Sequence, residues 1–211
     1  PDLDAFDAWD GLALFWTCYP NNPTGAVAPL SFYEELAARA NEHVFLLCSD
    51  EAYSELWFDE PPASALQVGE RENVVVFNTL SKRSSMTGYR SGFVWASRDV
   101  ADALRKFRPT VGTAPQEFVQ RASVAAWSDD AHVEDVRALY RRKRDTIEPV
   151  LREKGLRLSG SEATFYLWVA VGDSEAFARR LLEHGIVVAP GSFFGPAGEG
   201  FLRLSAFGHP E

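Results

Sequence analysis

Three apolar runs that each end abruptly in polar residues constrain this chain more than any other feature. Leu12-Ala13-Leu14-Phe15-Trp16-Thr17-Cys18 runs into Tyr19-Pro20-Asn21-Asn22-Pro23-Thr24-Gly25. Val44-Phe45-Leu46-Leu47-Cys48 is followed by Asp50-Glu51-Ala52-Tyr53, and Val74-Val75-Val76-Phe77 by Asn78-Thr79-Leu80-Ser81-Lys82-Arg83-Ser84-Ser85-Met86-Thr87-Gly88-Tyr89-Arg90. Short, continuous, β-branched runs of this kind read as buried strands. Between the first two lies a helical pattern from Ser31 to Glu42, with Phe32, Leu36 and Ala40 on one face. Strands near 12–17, 44–49, 74–78 and 91–96 alternating with helices predict an α/β fold around a mostly parallel sheet. Ligands of open α/β sheets sit outside the carboxyl ends of the strands, so the three polar ends are expected to converge on one cleft.

The residue types at those ends suit one chemistry. Lys82 stands at a strand end among hydroxyls, with Arg90 eight residues on across Gly88. An amine there can form a Schiff base with an aldehyde, while hydroxyls and a guanidinium fork hold a phosphate beside it. That pairing describes a site for pyridoxal 5′-phosphate (PLP). Asp50 is the candidate to keep a pyridine nitrogen protonated, because a neighbouring carboxylate favours the charged ring. Desolvation near cationic groups would lower the pKa of Lys82, freeing it to act as a nucleophile and general base. Taken singly, each signal has a plainer reading. A Ser-Lys pair is a solvated loop, Asn-Pro-Thr-Gly is a turn, and an aspartate after a strand caps a helix. The ordered triplet is what outweighs those readings.

Beyond Arg98 a helical region is punctuated by Pro109 and Pro115, and an amphipathic stretch from Ala131 to Lys154 stops at Gly155. Strands near 165–171, 186–189 and 201–205 around a helix at 174–184 predict a second, smaller α+β unit. The division falls as residues 1–130 and 131–211. The segment Gly191 to Gly200 lacks the lysine and following helix of a phosphate loop, and reads as a loop gating Arg203.

Composition removes several function classes. The formal net charge is −9, which disfavours a broad nucleic-acid-binding surface. The Arg141-Arg142-Lys143-Arg144 cluster has acidic neighbours and reads as a solvated helix face. No apolar run approaches the roughly 18 residues of a membrane span, and no signal peptide opens the chain. His43, His132, His184 and His209 show no metal-ligand spacing. Cys18 and Cys48 lie in or beside apolar strands and read as buried free thiols of a reducing, cytoplasmic compartment.

These motifs together resemble the fold-type I PLP-dependent aminotransferases, of the aspartate aminotransferase superfamily, across essentially the whole chain. The resemblance implies that Asn22 and Tyr53 reach the ring oxygen of PLP and that Asp50 pairs with the pyridine nitrogen. It implies that Lys82 carries the cofactor, with Thr79, Ser81 and Arg90 around the phosphate. Phe201-Leu202-Arg203-Leu204-Ser205 is similar to the strand whose arginine binds the substrate α-carboxylate. The Lys-Arg-Ser-x-x-x-Gly-x-Arg-Ser-Gly-Phe run, residues 82–93, is most similar to succinyldiaminopimelate aminotransferases. The implied reaction is transfer of an amino group between an amino acid and a 2-oxo acid, N-succinyl-LL-diaminopimelate with 2-oxoglutarate, by a homodimer. A β-elimination enzyme, another transaminase and a non-catalytic effector-binding module of a regulator remain open. Arg83 is open between a substrate carboxylate, the phosphate side and the surface. The family's N-terminal segment, its glycine loop for the phosphate and its ring-stacking aromatic have no counterpart here, so a fragment of a longer reading frame is expected.

Overall fold

The computed structural model describes residues 3–112 and 114–205. Strands β1 (Leu14–Cys18), β2 (Leu46–Asp50) and β3 (Val74–Thr79) pair in parallel, and β4 (Gly92–Trp95) returns antiparallel to β3, in the order β1-β2-β3-β4. The return is antiparallel because residues 80–91, between β3 and β4, form only a four-residue helix, α2 (Leu80–Arg83), and a single turn at Thr87–Tyr89, with no helix long enough to cross the sheet. A parallel crossover needs a dozen or more connecting residues, usually as a helix packed across the sheet. Register pairs Cys18 with Asp50 and Asp50 with Phe77, so the carboxyl ends of the three parallel strands lie level.

Helix α1 (Leu30–His43) forms where the apolar positions recur at helical spacing. Phe32, Tyr33, Leu36, Ala37 and Ala40 are buried in one cluster with Phe45 and with Leu47, Val74 and Val76 of the sheet. The helix ends on Val44, which takes a left-handed conformation (φ 57°) and returns its N–H to Ala40. That cap consumes two residues expected in β2, so the strand starts at Leu46 and takes in Asp50 as its last residue. The opposite face of the sheet leaves Trp16 57% exposed, stacked on Phe77 at 4.9 Å.

Helices α3 (Arg98–Phe107), α4 (Glu117–Trp127) and α5 (Ala131–Glu153) follow, and Gly155 (φ 76°) turns the chain out of α5. A second sheet, fully antiparallel, has the order β5-β6-β8-β7, from β5 (Arg157–Leu158), β6 (Tyr166–Ala170), β7 (Ala189–Pro190) and β8 (Phe201–Ser205), with α6 (Ser174–Glu183) before β7. The strand expected at 186–189 is reduced to Ala189–Pro190, and Val187 is exposed. The basic cluster of α5 also departs from expectation. Arg141 and Arg142 are exposed, but Arg144 is half-buried over the Phe58 ring and paired with Glu148. An arginine stem covers apolar surface as readily as it reaches water.

Loops bring the two sheets together. Gly25 accepts the N–H groups of Glu162 and Ala163, and Thr164 donates to Leu56 O at 2.6 Å. A Cβ on Gly25 would stand 2.7 Å from Ala163 O, and its φ of 69° is left-handed as well. The glycine of the Asn-Pro-Thr-Gly turn is therefore fixed by backbone approach.

Candidate active site

The polar ends of β2 and β3 meet in one cleft, whereas Asn22 after β1, Tyr53 and Arg203 are not in its lining. Asp50, Thr79, Ser81, Lys82 and Arg90 line one cleft of about 460 Å³, together with Trp16, Phe77 and Asn78. That is within the roughly 300–1,000 Å³ of small-molecule sites. A wider cleft of about 790 Å³ borders it through Arg90, but its lining carries two arginines and no carboxylate, lysine or histidine. The lysine and the carboxylate both line the smaller one.

Lys82 sits on α2, whose N-cap is Thr79. The Thr79 hydroxyl accepts the Ser81 N–H (3.1 Å) and lies 2.9 Å from Ser81 Oγ and 3.0 Å from Ser91 O. Thr79 is thus engaged in shaping the turn. The Lys82 amine lies 5.7 Å from the Tyr53 ring centre and 5.5 Å from that of Phe165. Its pKa is lowered from the ordinary lysine value, first by desolvation and then by the positive charges of Arg203 and Arg90. Arg90 is exposed, adopts φ 53° and donates to Thr87 O at 3.1 Å. A left-handed conformation is uncommon for a non-glycine residue and aims this guanidinium back over the turn.

Asp50 accepts the Ala52 N–H through one carboxylate oxygen at 3.0 Å. Asn22 is presented by a turn that its neighbour closes. Asn21 donates to Cys18 O and accepts from both the N–H and the hydroxyl of Thr24. With Asn21 taking those contacts, Asn22 Oδ1 is left to accept from Arg203 Nη1 at 2.7 Å. The Arg203 guanidinium lies 4.4 Å from the Tyr166 ring centre and 4.6 Å from that of Phe194. Its Nε is buried with no hydrogen-bond partner among the described residues. The loop from Gly191 reaches Arg203 through Phe194, and closes on itself where Gly191 meets the Gly198 carbonyl too closely for any side chain. Tyr53, buried, shares a 3.1 Å hydrogen bond with the Tyr166 hydroxyl. Burial pushes the Tyr53 phenol above its ordinary pKa.

Arg83 takes none of the site roles open to it in the sequence. It is 3% exposed, donates to Ala126 O at 2.7 Å and to Asp130, pairs with Glu55 at 3.7 Å and stacks over Trp127. Next to it, Ser84 Oγ lies 2.8 Å from His132 Nε2. These two side chains lash the lysine-bearing turn to the α4–α5 junction. Tyr166, Phe165 and Phe194 had no signal in the sequence, because an aromatic in a buried strand or glycine-rich loop reads as packing.

Comparison with known proteins places this architecture. The family model for aminotransferase class I and II matches residues 5–211. An LL-diaminopimelate aminotransferase of Nitratidesulfovibrio vulgaris is 37% identical over 97% of this chain and 55% of its own length. The chain therefore spans about half the length of the curated relatives it matches. Those relatives carry the LL-diaminopimelate name, whereas the sequence pointed to the N-succinyl form. A solved aminotransferase from Neisseria meningitidis superposes with a TM-score of 0.90 at 36% identity, covering 97% of this chain and 56% of that one. A probable N-succinyldiaminopimelate aminotransferase from Thermus thermophilus superposes at 0.91 and 31% identity, covering 99% and 58%. The chain belongs to the class I and II aminotransferases, the PLP-dependent family of fold type I.

Proposed function

We propose that this chain forms the cofactor- and carboxylate-binding part of a PLP-dependent transaminase that moves an amino group between an amino acid and a 2-oxo acid. The observation that carries the reading is Lys82, an amine of lowered pKa in a cleft shared with a carboxylate, hydroxyls and a guanidinium.

The donor set fits PLP. Lys82 would hold the cofactor through Nζ, Asp50 would face its ring nitrogen, and Asn22 and Tyr53 would serve its ring oxygen. Ser81 and Arg90 would hold the phosphate, with Thr79 fixing the turn between them. PLP, when bound, supplies a protonated aromatic ring that draws electrons from the substrate Cα. Lys82, whose ammonium form is disfavoured by burial and by the charges of Arg203 and Arg90, would be the group that takes the proton from that Cα and hands it back. Arg203, steadied by Asn22 and two aromatic rings, receives the substrate α-carboxylate. With Nη1 turned to Asn22, the edge formed by Nε and Nη2 is the one that suits a two-point fork.

The finer reading is a diaminopimelate-type amino donor with 2-oxoglutarate, in lysine or diaminopimelate biosynthesis, by a homodimer. It rests on the similarity to relatives of that name and on residues 82–93. The two free cysteines suit a reducing, cytoplasmic setting, and no described helix is long and apolar enough to cross a membrane.

The test supplies the full-length protein with PLP, 2-oxoglutarate and, separately, LL-diaminopimelate, N-succinyl-LL-diaminopimelate, aspartate and phenylalanine. Mass spectrometry should show glutamate formed fastest with a diaminopimelate donor. With cystathionine as a further donor, which carries a thiolate leaving group on Cβ, release of the thiol, ammonia and pyruvate without 2-oxoglutarate would replace transamination with β-elimination. No turnover of any donor by PLP-loaded protein would favour the effector-binding alternative.

A further inference from the structure

We propose that Tyr166 is a positioning residue that joins the two halves of this site, with its hydroxyl fixing the Tyr53 phenol and its ring supporting Arg203. The inference rests on the PLP reading above and names a residue acting through two others.

Two phenols, each 5% exposed, face one another at 3.1 Å across a separation of 113 residues. A buried hydroxyl is costly unless bonded, so each is the other's means of satisfaction. A phenol has one hydrogen. For Tyr53 to donate into the cleft, it must accept from Tyr166, which leaves Tyr166 as the donor of the pair.

The Tyr166 ring has a separate task. Arg203 on β8 pairs with Trp168 on β6, so Tyr166 two residues earlier is its diagonal neighbour on the same face. The guanidinium lies 4.4 Å from the centre of that ring, a cation–π platform. Tyr53 belongs to the segment after β2, and Arg203 to the second sheet. Tyr166 touches both. Its hydroxyl and its ring therefore meet different partners, which makes the two roles separable by mutation.

The experiment uses the full-length, PLP-loaded protein with Tyr166→Phe, Tyr166→Leu, Tyr53→Phe and the Tyr53→Phe/Tyr166→Phe pair. Two quantities are read: the PLP dissociation constant with its absorption spectrum, and the dissociation constant of 2-oxoglutarate, which cannot react with the PLP-loaded form. Tyr166→Phe should weaken PLP binding about 2- to 13-fold, the effect of one hydrogen bond, and leave 2-oxoglutarate binding unchanged. In the Tyr53→Phe background the same substitution should do nothing further. Tyr166→Leu should in addition weaken 2-oxoglutarate binding about 2- to 30-fold. A purely structural tyrosine would move both constants together in every variant. The inference is overturned if Tyr166→Phe leaves PLP binding at wild type, if its effect persists undiminished without the Tyr53 hydroxyl, or if Tyr166→Leu spares 2-oxoglutarate. A wild-type protein that binds no PLP overturns the cofactor reading itself, and this inference with it.

Discussion

Removing the Arg203 guanidinium should have two consequences that travel separately. The first is on binding. Arg203 is held by Asn22 at 2.7 Å and flanked by the Tyr166 and Phe194 rings, with its Nε buried and unpartnered among the described residues. In Arg203→Ala a substrate carboxylate would be desolvated without its partner, which costs about 2–5 kcal/mol, or roughly 30- to 5,000-fold in kcat/KM. Arg203→Lys should recover only part of this, because an ammonium cannot make two parallel hydrogen bonds. The second consequence is on Lys82. The charge of Arg203 disfavours the Lys82 ammonium and so lowers its pKa. Without that charge Lys82 holds its proton to higher pH, and the acidic limb of the kcat/KM profile should move upward in Arg203→Ala. It should stay in place in Arg203→Lys, where the positive charge remains. The assay is kcat/KM for the amino donor across pH, with the PLP absorption band followed in parallel as evidence of an intact cofactor site. Wild-type kcat/KM in Arg203→Ala would remove this residue from substrate binding. An acidic limb that moves downward would refute the electrostatic reasoning.

Three further predictions follow from contacts elsewhere in the structure. Asp50→Asn keeps the acceptor for the Ala52 N–H, so PLP should still bind while single-turnover proton removal from the substrate slows by orders of magnitude; an unchanged rate would make Asp50 a backbone cap and nothing more. Arg83→Met keeps a long apolar stem but gives up the Ala126 carbonyl, the carboxylate partners and the Trp127 stack. It should cost about 2–4 kcal/mol in urea unfolding, and a loss under about 0.5 kcal/mol would show that this anchor is dispensable. Glu51 is buried, accepts from Ser49 Oγ and the Ala65 N–H, and has its pKa raised by desolvation. A carboxyl with a raised folded-state pKa loses native stability as pH rises from its ordinary value through the raised one. Glu51→Gln should therefore gain melting temperature relative to wild type across that rise, by a few degrees at most, and gain nothing below about pH 4; a gain confined to acid would reverse the assignment.

The parts of the site that could be read in the sequence are those where chemistry interrupts a strand. Asp50 and Lys82 follow runs of β-branched and apolar residues, and a charge there has no packing explanation. Gly25 was legible as a turn, though its physical cause, the carbonyl of Ala163 at the other end of the chain, was not. The second sheet was legible in β6 and β8 because both are apolar. It was not in β7, where only two residues pair and the sequence pattern promised four. Asn21 and Asn22 are chemically identical neighbours, and only the turn geometry decides which of them closes the loop and which faces Arg203. Arg83 was ambiguous because its hydrogen-bond partners Ala126 and Asp130 lie more than 40 residues away. Tyr166 was hidden for a different reason: its hydroxyl is used by one neighbour and its ring by another, and nothing local in Phe165-Tyr166-Leu167-Trp168 distinguishes it from core.

The most direct test of the account is where PLP attaches. The full-length protein is loaded with PLP, reduced with borohydride, digested and mapped by mass spectrometry. The account predicts a pyridoxyl group on Lys82 alone, with both the label and the near-ultraviolet or visible cofactor band lost in Lys82→Ala. A label on Lys106 or Lys143, or an unchanged band in Lys82→Ala, would contradict it.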